Sequence, residues 1–185
     1  VGYFKGAFET SKSARQLETA ALEVLSRHGV DLVEVDLPTD IPINSLLIVR
    51  VEAAAAFDDF VRGGGLATLT EQGETAWPNV LRAGRLVPAY DYLQAQRLRS
   101  ELMAKVDEIF TKVDVFLAPT FSVLVTVNLT GHPCVVAPIG FTDEGPASIS
   151  FVGKAFGEKE LCAVAKAFQD ATRWNKVFPR TYADH

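Results

Sequence analysis

Val113-Asp114-Val115-Phe116-Leu117-Ala118-Pro119-Thr120, followed by Asn128-Leu129-Thr130-Gly131-His132-Pro133-Cys134-Val135-Val136-Ala137-Pro138-Ile139-Gly140-Phe141 and then Ala147-Ser148-Ile149-Ser150-Phe151-Val152-Gly153, is the stretch whose reading decides the fold. It contains three short apolar runs, each stopped by Pro or Gly: Val115–Ala118, Val135–Ala137 and Ser148–Val152. Runs this short, rich in Val, Ile and Phe, predict strands of a sheet covered on both faces. A helix would need ten or more residues without such breakers. Thr142-Asp143-Glu144-Gly145-Pro146 carries turn chemistry, so the second and third strands are expected to form an antiparallel hairpin.

Working outward, the opening Val1–Phe4 predicts a strand. Thr10, Ser11 and Ser13 offer N-caps for a helix to about Arg27, with Leu17, Ala21, Val24 and Leu25 on one face. Gly29 follows as a C-cap and Leu32–Val35 as a strand, which makes a βαβ unit with parallel strands. Pro38 to Pro42 reads as a loop, and an alanine-rich helix is expected over Leu46–Arg62, ended by Gly63-Gly64-Gly65. That triplet is no phosphate loop, because no Gly-Lys-Ser/Thr follows it. A short helix over Thr75–Gly84 is expected to turn Trp77, Val80 and Leu81 inward. Pro88 opens a long helix, Ala89–Lys112, striped by Leu98, Leu102, Val106 and Ile109. The final helix, Glu158 to Arg173, buries Leu161, Val164, Ala165 and Phe168, and the residues through His185 read as a loose tail. The fold class is therefore α/β, a mixed sheet flanked by helices, expected as one domain over residues 1–185.

Hydrophobic residues at 48% and charged residues at 22% are ordinary for a globular protein. A net charge of -5 disfavours nucleic acid as a direct partner, and no apolar run reaches bilayer length, so no membrane is expected. Cys134 and Cys162 lie in apolar patterns and are expected as buried, reduced thiols, which points to the cytoplasm. His28, His132 and His185 lack metal-ligand spacing, so neither metal nor cofactor is expected. His28 reads as a helix C-terminal partner. His132 two residues before Cys134 suggests a nucleophile pair, but Pro133 interrupts the ladder and the thiol reads as inert packing. Asp58 and Asp59, and Glu144, Glu158 and Glu160, read as solvated faces and caps, and Glu52 as buried or paired.

Ala-Pro-Thr, then Asn-Leu-Thr-Gly-His-Pro, an apolar run and Pro-x-Gly-Phe resembles the C-terminal third of the amidase signature hydrolases. Phe151-Val152-Gly153-x-x-Phe156-Gly157-Glu158-x-x-Leu161 continues the resemblance, as does Gly29-Val30-Asp31-Leu32-Val33-Glu34-Val35-Asp36-Leu37-Pro38. The resemblance implies the C-terminal part of an amidase-signature-type fold and cleavage of carbon–nitrogen amide bonds by a serine, a second serine in a cis peptide and a lysine. None of the eight serines (Ser11, Ser13, Ser26, Ser45, Ser100, Ser122, Ser148 and Ser150) is adjacent to another or sits in a Gly-Gly-Ser-Ser stretch. The expectation is a C-terminal fragment of a longer amidase, trimmed at Val1, with no catalytic residue of its own and inactive alone.

The resemblance also implies that a loop over Phe121–Pro133 edges the substrate cleft, with Asn128, Thr130 and Gly131 as substrate-binding residues and a small amide as the partner. The tRNA-dependent amidotransferase branch tends to carry an acid just before this Asn. Ser122–Val127 has none, which tilts the expectation away from a glutaminase like that of the glutamyl-tRNA(Gln) amidotransferases and toward a less polar amide. The remaining alternative is a non-catalytic binding or scaffolding domain of the same fold. An uncovered sheet face would favour self-association or a homo-oligomer.

Overall fold

The computed structural model describes residues 1–11, 14–38, 40–41 and 45–178. In chain order its elements are β1 (Gly2–Phe4), α1 (Lys5–Thr10), α2 (Arg15–Arg27), β2 (Val33–Val35), α3 (Ser45–Ala56), α4 (Asp58–Arg62), α5 (Trp77–Gly84), α6 (Ala89–Ile109), β3 (Val115–Pro119), α7 (Thr120–Thr130), β4 (Cys134–Thr142), β5 (Gly145–Gly153) and α8 (Glu158–Thr172). Packing divides the chain into two compact units, Val1–Pro38 with Met103–His185, and Thr39–Leu102.

The first unit holds a five-stranded mixed sheet in the order β2-β1-β3-β5-β4. β1 pairs in parallel with β2 and β3, and β3 is antiparallel to β5; β5 and β4 form the antiparallel hairpin expected from the turn chemistry at 142–146. The strand alternation of β3 sorts its side chains onto two faces. Val115 and Leu117 join Leu25 of α2 and Leu161 and Phe168 of α8 on one face. Phe116 and Ala118 join Ile109 of α6 and Val123 of α7 on the other. These four β3 residues are at most 1% exposed, so the sheet is covered on both faces at β3 as its apolar run demands, whereas the Val135–Ala137 run lies on the edge strand β4 and leaves Val136 52% exposed. Phe151 packs on Phe168 with centroids 5.4 Å apart, and each such side chain contributes about 1.5–3 kcal/mol through burial. A Cβ at Gly2 would lie 3.0 Å from Phe116 Cβ and from Val35 Cγ1, so the close β2-β1-β3 packing uses its lack of a side chain.

Several boundaries differ from expectation. Thr10 and Ser11 do not cap the helix to Arg27. They end a separate α1, with the Thr10 hydroxyl donating to Gly6 O, and α2 starts after Ala14 without a side-chain cap. Ser13 lies outside the described residues, as do Thr39 and Pro42 of the expected loop and the tail from residue 179. β4 continues through Pro138, because a register shift between Pro138 and Gly140 absorbs the residue that lacks an N–H.

The second unit is helical. The helix expected over Leu46–Arg62 is two helices, α3 and α4, broken at Phe57. α4 ends at Gly63–Gly64, with Gly64 left-handed at φ 78°, before a single 3-10 turn, Gly65–Thr68. α5 lies against α3 where Gly84 meets Arg50; a Cβ there would fall 2.1 Å from the Arg50 carbonyl oxygen. Leu81 is buried, but Trp77 is 57% exposed and does not point inward: it begins α5 beside Phe57 and Phe60 on an open apolar surface. Glu52 is exposed and paired, accepting from the Tyr92 hydroxyl and Gln96 Nε2. No helix among the described residues is long and apolar enough to cross a membrane.

Candidate functional site

The chain leaves β1 toward β2 on one side, while β3 lies on the other. The carboxyl ends of two parallel strands whose connections diverge are where α/β sheets open a crevice. One of about 420 Å³ opens there, within the range of small-ligand sites. α1 and the start of α2 form one wall; Pro119, the first turn of α7 and the β4–β5 turn form the other. Thr120 Oγ1 and Ser148 Oγ are hydrogen-bonded across it at 3.0 Å. The Ser122 hydroxyl turns back to donate to Pro119 O at 2.7 Å, which fixes the first turn of α7. Glu18 of α2 lines the crevice and is only 5% exposed, and its Oε2 has no hydrogen-bond partner among the described residues.

A second polar cluster lies in the same unit. His132 follows Gly131, whose left-handed φ of 74° ends α7. The imidazole is 5% exposed and lies parallel to Phe110 with ring centroids 5.1 Å apart. Its Nε2 is 3.0 Å from Asp107 Oδ1 and its Nδ1 is 2.8 Å from Thr130 Oγ1. An ionised Asp107 can only accept, so Nε2 carries a proton; the single Thr130 hydrogen then serves either Nδ1 or Thr126 O, which is 2.9 Å away. The cluster ties the end of α6 to the junction of α7 and β4. It was not singled out from the sequence, because Asp107 and His132 are 25 residues apart and no local pattern links them.

No family model matches the chain. It is 31% identical to an amidase of Pseudomonas putida over 86% of this chain and 40% of that protein. It is 30% identical to a glutamyl-tRNA(Gln) amidotransferase subunit of Chloroflexus aggregans, over 86% of this chain and 41% of that protein. A bacterial aryl acylamidase of the amidase signature family superposes with a TM-score of 0.75 over 95% of this chain and 44% of its own, at 19% identity. The peptide amidase of Stenotrophomonas maltophilia gives 0.74 over 93% and 42%, also at 19% identity. The chain belongs to the amidase signature family. It spans about two fifths of the length of the curated relatives named here.

Within this amidase signature chain, the segment expected as a loop over Phe121–Pro133 is mostly helix: α7 runs to Thr130. Val123 anchors it on the sheet, and this packing overrides the weak helix propensity of its Val and Thr residues. Asn128 is exposed on α7. Thr130 is 4% exposed and committed to His132 and Thr126. A Cβ at Gly131 would meet nothing within 4 Å in this chain, and the glycine makes the left-handed turn that ends α7.

Both cysteines are exposed, contrary to the expectation of buried thiols: Cys134 begins the edge strand β4 and Cys162 lies off the buried stripe of α8. Partial desolvation pushes the Cys134 thiol pKa up, against a smaller opposing effect of Ser150, and both nitrogens of His132 are engaged elsewhere. A thiol shifted upward beside an occupied imidazole is a poor nucleophile. His28 Nδ1 meets Val24 O at 2.8 Å at the end of α2, as its position suggested. No three His, Cys, Asp or Glu residues are grouped to hold a metal among the described residues.

Proposed function

We propose that this chain is the C-terminal part of an amidase signature hydrolase that cleaves carbon–nitrogen amide bonds. In this reading its serine nucleophile, cis-peptide serine and lysine belong to preceding polypeptide. Amide hydrolysis needs an activated nucleophile, a base and oxyanion donors. The sequence offers no adjacent serines, so the chain supplies the wall of the cleft and is inactive alone. The observation that carries this reading is the 31% identity to an amidase across 86% of the chain, at only 40% of that protein's length. Asn128 on the exposed side of α7 edges the substrate, Gly131 turns the chain beside it, and Thr130 holds the segment in place through His132. The exposed Phe121, Leu124 and Val125 of α7 favour an amide with an apolar body. Free cysteines support a cytoplasmic setting.

A glutaminase of the glutamyl-tRNA(Gln) amidotransferase kind is the second reading, favoured by a nearly equal identity of 30%. The test is to assay the 185-residue chain, and the polypeptide extended through its upstream coding sequence, on glutamine and on aryl and alkyl amides. The expected result is no turnover by the chain and aryl or alkyl amide hydrolysis by the extended form. Turnover of glutamine alone selects the second reading. Inactivity of both forms selects a scaffolding domain, and hydrolysis by the short chain overturns the reading outright.

A further inference from the structure

We propose that the crevice at the carboxyl ends of β1 and β3 binds a small alkylammonium ion, with Glu18 as its counter-charge. Glu18 is buried on a helix that otherwise presents Ala21 and Leu25 to the core, and its Oε2 has no partner among the described residues. A carboxylate in such a place lacks a donor, and a cation carrying several N–H groups supplies one. The other charged side chain lining the crevice is Glu144, also acidic, and no Lys, Arg or His lines it among the described residues. Two carboxylates around one concavity create a negative potential that excludes anions and concentrates cations.

The rest of the lining fits the same ligand class. Thr120 and Ser148 share one hydrogen bond between them, which leaves hydroxyl lone pairs to accept from an ammonium. Ala7, Pro119 and Phe121 offer apolar surface to a short alkyl chain. A volume of about 420 Å³ admits an amine of a few carbons. An alkylammonium has no amide bond, so its binding is independent of the hydrolase reading. Failure to bind leaves that reading untouched.

The test is calorimetric or NMR titration of the chain with n-butylammonium, with n-butanol and n-butyrate as matched controls. Saturable binding of the ammonium alone is expected. Glu18→Gln should weaken it by about tenfold or more, the size of one lost charge-assisted hydrogen bond. Thr120→Val should weaken it about threefold, and it decides the matter if Glu18→Gln does not fold by circular dichroism. Equal affinity for butanol, no binding, or binding unchanged in the folded variants overturns the proposal.

Discussion

His132 and Glu18 are equally buried, at 5% exposed each, and differ in everything around them. His132 has a partner for each ring nitrogen and an aromatic face to lie against. Glu18 has an oxygen with no partner among the described residues and a crevice beside it. A satisfied buried polar group holds parts of a fold together, whereas an unsatisfied one costs stability and is retained for what it binds. By that criterion the histidine is a structural link and the carboxylate a recognition element.

The largest expected effect tests the first half of this contrast. His132→Ala should destabilise the chain by about 2–4 kcal/mol in urea unfolding, because it removes a buried ring stacked on Phe110 together with its hydrogen bonds to Asp107 and Thr130. A loss below about 0.5 kcal/mol, the level of ordinary surface substitutions, would show that the link is dispensable.

Glu18→Leu should move the other way and raise stability by about 1–3 kcal/mol, since an apolar side chain of similar size replaces a carboxylate with an unpaired oxygen. If the leucine variant is instead the less stable, Glu18 has a partner and the contrast collapses.

The smallest effect belongs to a third polar group, exposed and paired. Lys5 and Tyr3 on the β1 side donate to Glu34 of β2. The Lys5 hydrogen bond, then that of Tyr3, holds the Glu34 carboxyl below its ordinary range, and the same Glu34 contact holds Lys5 above its own. The Glu34 contribution is present above its unfolded-state pKa and is lost as pH falls through the lower folded-state value. The Lys5 contribution is present below its unfolded-state pKa and is lost as pH rises through the higher folded-state value. Melting temperatures of the chain and of Glu34→Gln should therefore differ slightly between these limits and converge beyond each. A gap that persists in acid below the carboxylate range would assign the effect to packing.

The sheet was legible because its signal is local. The short, breaker-bounded apolar run Val115–Ala118 marks a strand and the turn at 142–146 sets the β4–β5 pairing, both without reference to distant residues. The long stripe of α6 and that of α8 were legible for the same reason, in Leu102, Val106 and Ile109 and in Leu161, Ala165 and Phe168. α7 was not. Its apolar residues follow no helical period, its Val and Thr residues favour strands, and only packing on the sheet makes it helical. Trp77 and the two cysteines show the converse limit: an apolar residue in an apolar stretch need not face the core. Asn128, Thr130 and Gly131 were named through family resemblance, and none of them lines the crevice. Glu18 and the Asp107–His132 pair were not, because their meaning lies in who stands opposite after folding.

Among the described residues the two rims of the sheet are unequal, and this gives its growth a direction. β2 is three residues long and carries the Lys5–Glu34 pair, which makes it a poor template for another strand. β4 is nine residues long, and the stretch from Cys134 to Ala137 precedes the irregularity at Pro138. A further strand, from a second copy or from other polypeptide, would thus dock on the Cys134–Ala137 segment and stop at the proline. That arrangement would bring the exposed Cys134 into the new seam, where a thiol-specific crosslinker could register it.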